Sequence, residues 1–321
     1  MLRLPRTFFS EEHDMFREAF KAFTAQEIVP HHDRWEQQKH VDRDLWTKAG
    51  NQGFLCMNMP EAYGGMDADF GFSTCQMEEQ MKAYASGPGF TLHTDIVAPY
   101  ILHYGTEAQK QKYLPKMASG EMIGAIAMTE PGTGSDLQAV RTHAEKKGDH
   151  YVLNGSKTFI TNGYLSDLVI VVAKTDPKAG AQGTSLFLVE TSWKGFSKNP
   201  PLRKIGMHAQ DTCELFFEDV EVPAENLLGE EGAGFMYLMQ ELPQERLLIA
   251  VMGCAALEQA IQDTIQYCKD REAFGKPILH FQNTRFTLAE LNGQALMARA
   301  FTDQCIQLHM QGKLDVPTAA A

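Results

Sequence analysis

The spacing of apolar residues changes twice along this chain, and that change limits the architecture more than any single motif. From Ser10 to about Gly120 the spacing is helical, as in Phe16, Phe20 and Phe23 at i, i+4 and i+7. In the same stretch Thr106 and Gln109 predict a capping box that opens a further helix. From about Met122 the spacing becomes that of strands. YVLNGSKTFI carries an expected hairpin turn at Asn154-Gly155, and DLVIVVAKT, TSLFLVE and CELFFEDVEV follow. After Pro223 and Gly232-Ala233-Gly234 the helical spacing returns, near 234–270 and 281–312. An order of helices, strands and helices without βαβ alternation argues against a doubly wound parallel sheet. It predicts a multidomain α and β protein: an N-terminal helical domain over 1–121, a middle antiparallel β domain over 122–232 and a C-terminal helical domain over 233–321.

Charge and cysteine usage narrow the function classes. With 29 basic and 41 acidic residues the net charge is −12, spread along the chain, which speaks against a nucleic-acid or anionic-membrane surface. The six cysteines (Cys56, Cys75, Cys213, Cys254, Cys268, Cys305) form no CxxC pair and the histidines show no metal spacing, so no metal is expected and a reducing compartment is. The start, MLRLPRTFFSEEHDMF, has no apolar run and predicts neither a secretory signal nor an anchor. The longest uncharged apolar run, Leu247 to Leu257, is shorter than the about 20 residues a bilayer needs, so no transmembrane segment is expected and this helix should be buried. At the other end Asp315 and Pro317 open a helix just where the chain stops, which predicts a longer protein cut at this point. The apolar positions Leu288, Leu291, Leu296, Phe301 and Ile306 should then lack partners.

Four stretches carry candidate chemistry. Thr129 to Asp136 (TEPGTGSD) is a polar, glycine-rich loop whose backbone N–H groups can approach a phosphate or a ring system; it serves equally as a plain turn, and it fails as a dinucleotide fingerprint because Leu137 stands where the third glycine should be. Lys157 to Gly163 (KTFITNG) puts Phe159 and Thr161 on one strand face, suited to stacking on a flat ring and bonding its edge, or to plain core packing and turn capping. In ELPQERLLIAVMGCAAL, Leu242, Glu245, Ile249, Met252 and Ala256 share one helical stripe on which Glu245 is the only charge. Burial there would raise the carboxyl's pKa toward that of a general base for a weakly acidic C–H; a structural glutamate near a helix N-terminus is the plainer reading. Arg271 to Pro277 (REAFGKP), followed by Gln282, is a basic turn with an aromatic that can grip a phosphate, or a helix C-cap with Gly275 as its stop signal.

In this order and spacing the four stretches resemble the acyl-CoA dehydrogenase family. The likeness also runs through Tyr63 to Gly65 (YGG), the AQDTCELFFEDVEVPAENLLGE block and REAFGKPI. ELPQERLLIA and SGPGF look most like the long-chain branch. The resemblance implies a C-terminal four-helix bundle, a homotetramer and one FAD per subunit. It sets Ile126, Ala127, Met128, Thr129, Gly134 and Ser135 along the flavin, with Phe159 stacking on the isoalloxazine, Thr161 bonding near its N5 and Ile160 among the cofactor-binding residues. Arg271, Phe274 and Gln282 match residues that hold the FAD of a neighbouring subunit. Glu245 matches the catalytic base, and Ser135, Ala181, Gln182, Pro243, Gln244 and Arg246 would line the acyl-CoA site. Met236 departs from the tyrosine of the long-chain branch.

The implied reaction is dehydrogenation of a fatty acyl-CoA to trans-2-enoyl-CoA in β-oxidation, with electrons passing to an electron-transfer flavoprotein. The expected compartment is the bacterial cytoplasm, or the mitochondrial matrix in a eukaryote. An oxidase that hands electrons to O₂ and a non-catalytic assembly partner are the competing readings.

Overall fold

The structure is a computed structural model and describes residues 4–321. The chain begins with α1 (Glu11–Phe23), α2 (His32–Gln38), α3 (Asp44–Asn51), α4 (Phe70–Lys82), α5 (Ala98–Tyr104) and α6 (Glu107–Ala118). The strands are β1 (Gly124–Ala127), β2 (His143–Lys147), β3 (His150–Thr161), β4 (Leu168–Lys174), β5 (Thr184–Glu190), β6 (Phe196–Lys198), β7 (Thr212–Pro223) and β8 (Leu227–Leu228). Then come α7 (Gly234–Asp270), the short β9 (Glu272–Ala273) and β10 (Lys276–Pro277), α8 (Gln282–Met310) and α9 (Val316–Ala320). These elements form two compact units. One comprises the chain up to Ala25, Asp69–Ala85 and Pro243–Ala321; the other comprises Gln26–Ala68 and Ser86–Leu242.

The larger unit holds the β-sheet. Its strands run β6-β7-β3-β2-β4-β5-β8, with β1 added on β4. Most pairs are antiparallel as expected, but β1 pairs with β4 in parallel from Gly124↔Leu168 to Ala127↔Val171. All of β4 is buried, because both of its faces are covered. Leu168, Ile170 and Val172 pack with Tyr100, Ile101 and Leu114 from the helices, whereas Val169, Val171 and Ala173 pack with Phe187, Leu215 and Phe217. The predicted capping box forms at the start of α6: Gln109 accepts from the Thr106 N–H at 2.9 Å, and its amide donates to the carbonyls of Glu225 and Leu227. One side chain therefore closes a helix and ties it to the β7–β8 crossover.

Asn154-Gly155 is not a hairpin turn. The β2–β3 turn lies at Gly148, with φ +67°, and residues 154–155 sit inside β3 where the register against β7 slips. A Cβ on Gly155 would lie 2.4 Å from Thr142 Oγ1, so glycine here relieves crowding at a bulge rather than making a turn.

His93 couples the helices to the sheet. It sits in the π-helical segment Leu92–Val97 and is fully buried. Its Nε2–H donates to Met117 O at 3.0 Å, and its Nδ1 accepts from the Gly124 N–H at 3.0 Å, at the first residue of β1. Burial pushes the imidazole down to about 4. A histidine whose folded pKa lies below its unfolded value stabilises the fold above that unfolded value, and the contribution is lost as pH falls toward the folded pKa. We expect about 3 kcal/mol to be lost between pH 6.5 and 4 through this residue. Urea melts of wild type and His93→Gln across that range check this. The difference between the two proteins should shrink toward pH 4, and parallel pH curves would contradict it. Taking the difference also removes Asp211, whose carboxyl burial pushes up to about 6 and which acts with the opposite sign over the same range.

In the smaller unit α1 is capped by Ser10 and His13. Glu78 on α4, its side chain 1% exposed, accepts from Arg6, Arg17 and Arg299. Burial alone would raise this carboxyl, but the arginines hold it down at about 2. A buried carboxylate needs such pairing, and here it joins the N-terminal segment, α1, α4 and α8. α7 does not meet the expectation of burial all round: Ile249 is 66% exposed and Leu257 37%. It is also the one described helix whose length and hydropathy would suffice for a membrane span. The chain's own neighbours, chiefly α8 through Glu258–Arg299 and Cys254–Thr302, cover only one side of it. On α8, Leu288 and Ile306 are buried while Leu291 and Phe301 are exposed. Asp315 caps α9 by accepting from the Thr318 N–H at 2.7 Å, as its sequence predicts.

Candidate active site

The glycine-rich loop leaves β1 and is held tightly at its base. Glu130 and Thr133 exchange backbone hydrogen bonds at 2.9 and 3.0 Å, and Thr133 Oγ1 donates to Ala139 O. Gly132 and Gly134 are exposed, and a Cβ at either would meet nothing within 4 Å. Their backbone is therefore open to close approach by a ligand. Met128 and Thr129 are half-buried, and Ser135 is exposed. Ile126, Ala127 and Ile160 turn their side chains into the core, so only their backbone could serve a ligand.

KTFITNG lies directly beside this loop. The Thr158 N–H donates to Thr129 O at 2.9 Å, and Lys157 Nζ donates to Met128 O at 3.0 Å. Between Lys157 and Ile160 the register of β3 against β7 slips by one residue. Phe159 is the bulged residue: its φ is +59° and its ring is 66% exposed. A non-glycine residue at positive φ is uncommon and marks a place where the surroundings override local preference. Thr161, two residues on, is half-buried and back in register with Thr212 of β7, and the Thr158–Thr129 bond sets the exposed Phe159 next to the open loop.

The far end of this segment is also anchored. Asn162, again at φ +59°, donates from Nδ2 to Gly89 O at 3.0 Å, and its backbone N–H donates to Asp211 O. The buried Asp211 carboxylate accepts the N–H groups of Tyr164 and Leu165. Neither Asn162 nor Asp211 was singled out from the sequence. A carboxylate and a carboxamide in a loop read as ordinary turn residues, and only their burial reveals their task.

Ala181 and Gln182 lie in a short 3-10 turn, Gly180–Gly183. Lys174 pins this turn by donating to Gly180 O and Thr184 Oγ1. Gly183 is required there, since a Cβ would fall 1.8 Å from Asp176 O.

The remaining candidates belong to the smaller unit. Pro243, Gln244 and Glu245 are half-buried on α7, and Arg246 is exposed. Pro243 stands inside the helix, where it removes one helical hydrogen bond next to Glu245. Gln244 Oε1 meets His309 Nε2 at 3.0 Å. The apolar stripe around Glu245 is only partly covered within this chain, so the burial expected from its sequence is not met. Arg271, Phe274 and Gln282 are exposed around the β9–β10 hairpin. Gly275 is not a helix C-cap there. Phe274 and Gly275, at φ +53° and +76°, form the tight turn of that hairpin, and the Phe274 ring is 96% exposed. Among the described residues no group of three or more His, Cys, Asp or Glu is placed to hold a metal ion.

Comparison with known proteins places the whole chain in one family. Family models of the acyl-CoA dehydrogenase N-terminal, middle and C-terminal domains match residues 10–121, 125–220 and 232–321. The long-chain specific acyl-CoA dehydrogenase of Mus musculus is 54% identical over 317 residues, covering 98% of this chain and 74% of the mouse protein. An isovaleryl-CoA dehydrogenase of Oryza sativa is 36% identical, covering 96% of this chain and 76% of that protein. Among solved structures, the acyl-CoA dehydrogenase of Geobacillus kaustophilus is 50% identical and superposes with a TM-score of 0.97, covering 98% of this chain and 84% of that one. With three successive domain models matched across nearly the whole chain, this protein belongs to the acyl-CoA dehydrogenase family.

Proposed function

We propose that this enzyme dehydrogenates long-chain fatty acyl-CoA thioesters to trans-2-enoyl-CoA, with FAD held against Phe159 and the loop Ile126–Ser135 and with Glu245 as the base. The stretches 1–121, 122–232 and 233–321 are read as its three domains. The family is FAD-dependent, and the observation that carries the cofactor assignment is Phe159: an aromatic ring forced outward by a bulge, beside an exposed glycine-rich loop. Such a surface offers a stacking face and free backbone donors to a flat, phosphate-bearing group. When bound, FAD supplies the two-electron acceptor for the β hydrogen.

The chain's own residues do the rest. Thr129, Ser135 and Thr161 offer hydroxyls to the ring edge and to the substrate, while Ile126, Ala127, Met128, Ile160 and Gly134 contribute backbone. Arg271, Phe274 and Gln282 serve the FAD of a neighbouring subunit in a homotetramer. Ala181, Gln182, Pro243, Gln244 and Arg246 receive the acyl-CoA. Glu245 takes the α proton, and hydrogen-bond donors at the thioester carbonyl stabilise the enolate-like charge that develops. Electrons leave to an electron-transfer flavoprotein, in the bacterial cytoplasm or the mitochondrial matrix. The greater identity to the long-chain relative supports the substrate class.

A chain-length series tests that class. With butyryl-, octanoyl- and palmitoyl-CoA we expect kcat/KM to climb with length, since each buried methylene contributes about 0.8 kcal/mol. An optimum at butyryl-CoA would overturn the long-chain assignment.

A further inference from the structure

We propose that the buried Lys157–Glu130 pair is a positioning device for the flavin surface, holding the loop that carries Thr129 in register with the bulge that carries Phe159. The inference rests on the cofactor reading given above. Lys157 is wholly buried and Glu130 almost so, with Nζ and Oε1 2.9 Å apart. Lys157 also donates to Met128 O, one residue before Thr129. Glu130 follows Thr129 directly and accepts the backbone N–H groups of Arg141 at 2.7 Å and Thr142 at 2.9 Å. One ion pair therefore joins three segments: the loop, β3 and the approach to β2.

The pair is needed where ordinary sheet bonding fails. The β3–β7 ladder is interrupted between Lys157 and Ile160, so residues 158 and 159 gain no regular support from β7. The Thr158 N–H turns to Thr129 O instead. With that bond and the ion pair, the 128–130 segment and the 157–159 segment become one rigid surface.

A buried ion pair is a weak source of net stability, because desolvation offsets most of the attraction. Fixing geometry is a task it can perform, and a misplacement of about 1 Å at a ligand site costs on the order of 10²-fold in function. Neither residue is assigned contact with FAD or substrate; the pair acts through Met128, Thr129 and Phe159.

The test is FAD titration of the apo forms of wild type, Lys157→Met, Glu130→Gln and the double variant. Each is measured at a temperature where circular dichroism shows it folded, and the visible band shape of the bound flavin is recorded. We expect each single variant to raise the FAD dissociation constant by about 10- to 100-fold, with an altered band shape, and the double variant to lose no more than the worse single one. Should Lys157→Met fail to fold, Glu130→Gln, which keeps the size of the side chain, decides alone. Wild-type affinity and band shape in a folded variant would overturn the proposal, as would fully additive losses. Phe159→Ala separates the two readings. If it loses FAD while Lys157→Met does not, the positioning role falls and the FAD surface stands; if Phe159→Ala also binds normally, the FAD surface itself is wrong.

Discussion

Glu245→Gln is expected to keep the fold and the FAD content and to lose about 10³-fold or more of turnover. The amide matches the carboxylate in size, so the half-buried site on α7 is not disturbed, but it cannot accept the α proton. The nearest carboxylate in sequence on this helix is already engaged: Glu241 is buried and is bonded at 2.8 Å to both His103 Nδ1 and the Tyr104 hydroxyl. It is therefore no ready substitute. Steady-state turnover with FAD-saturated enzyme checks this, alongside the visible absorbance of the purified protein. Turnover within a few-fold of wild type would remove Glu245 from the chemistry.

Gly89→Ala is expected to destabilise the larger unit by about 2 to 3 kcal/mol and to lower FAD retention. A Cβ on Gly89 would fall 1.9 Å from Asn162 Oδ1 and 2.7 Å from its Cγ. Asn162 has nowhere to retreat: it is 2% exposed, held at positive φ, and bonded to Gly89 O and Asp211 O. Displacing it removes the far anchor of the Phe159–Thr161 segment, so stability and cofactor binding should fall together. Urea denaturation and FAD stoichiometry measure the two effects. A variant with wild-type stability would show that Asn162 is not packed against Gly89.

The sequence was legible where local chemistry and global fold agree. The helical and strand periods, the Thr106–Gln109 box and the Asp315 cap all read correctly, because each depends on residues close in the chain. The errors arose where tertiary contacts override local preference. Asn154-Gly155 has the composition of a hairpin turn, yet its glycine answers to Thr142 across the sheet. Gly275 has the look of a helix stop, yet pairing of Glu272–Ala273 with Lys276–Pro277 makes it a hairpin turn. The all-apolar stretch of α7 implied burial, but burial needs neighbours that this chain supplies on one side only.

At the site, the motifs located the loop and strand, but the devices that shape them were hidden. Lys157 and Glu130 lie 27 residues apart, and Asn162 and Gly89 lie 73 apart. No local pattern signals such pairs. Phe159 is recognisable as an aromatic in a strand, and only its backbone shows that it is forced outward rather than packed inward.

The most direct test of the account is anaerobic mixing of FAD-loaded protein with a long-chain acyl-CoA, following the visible absorption of the oxidised flavin and the thioester product together. We predict loss of that absorption with one 2-enoyl-CoA formed per flavin reduced, and no such loss in Glu245→Gln. Wild-type protein that binds the acyl-CoA while its flavin stays oxidised, or Glu245→Gln that bleaches at the wild-type rate, would contradict it.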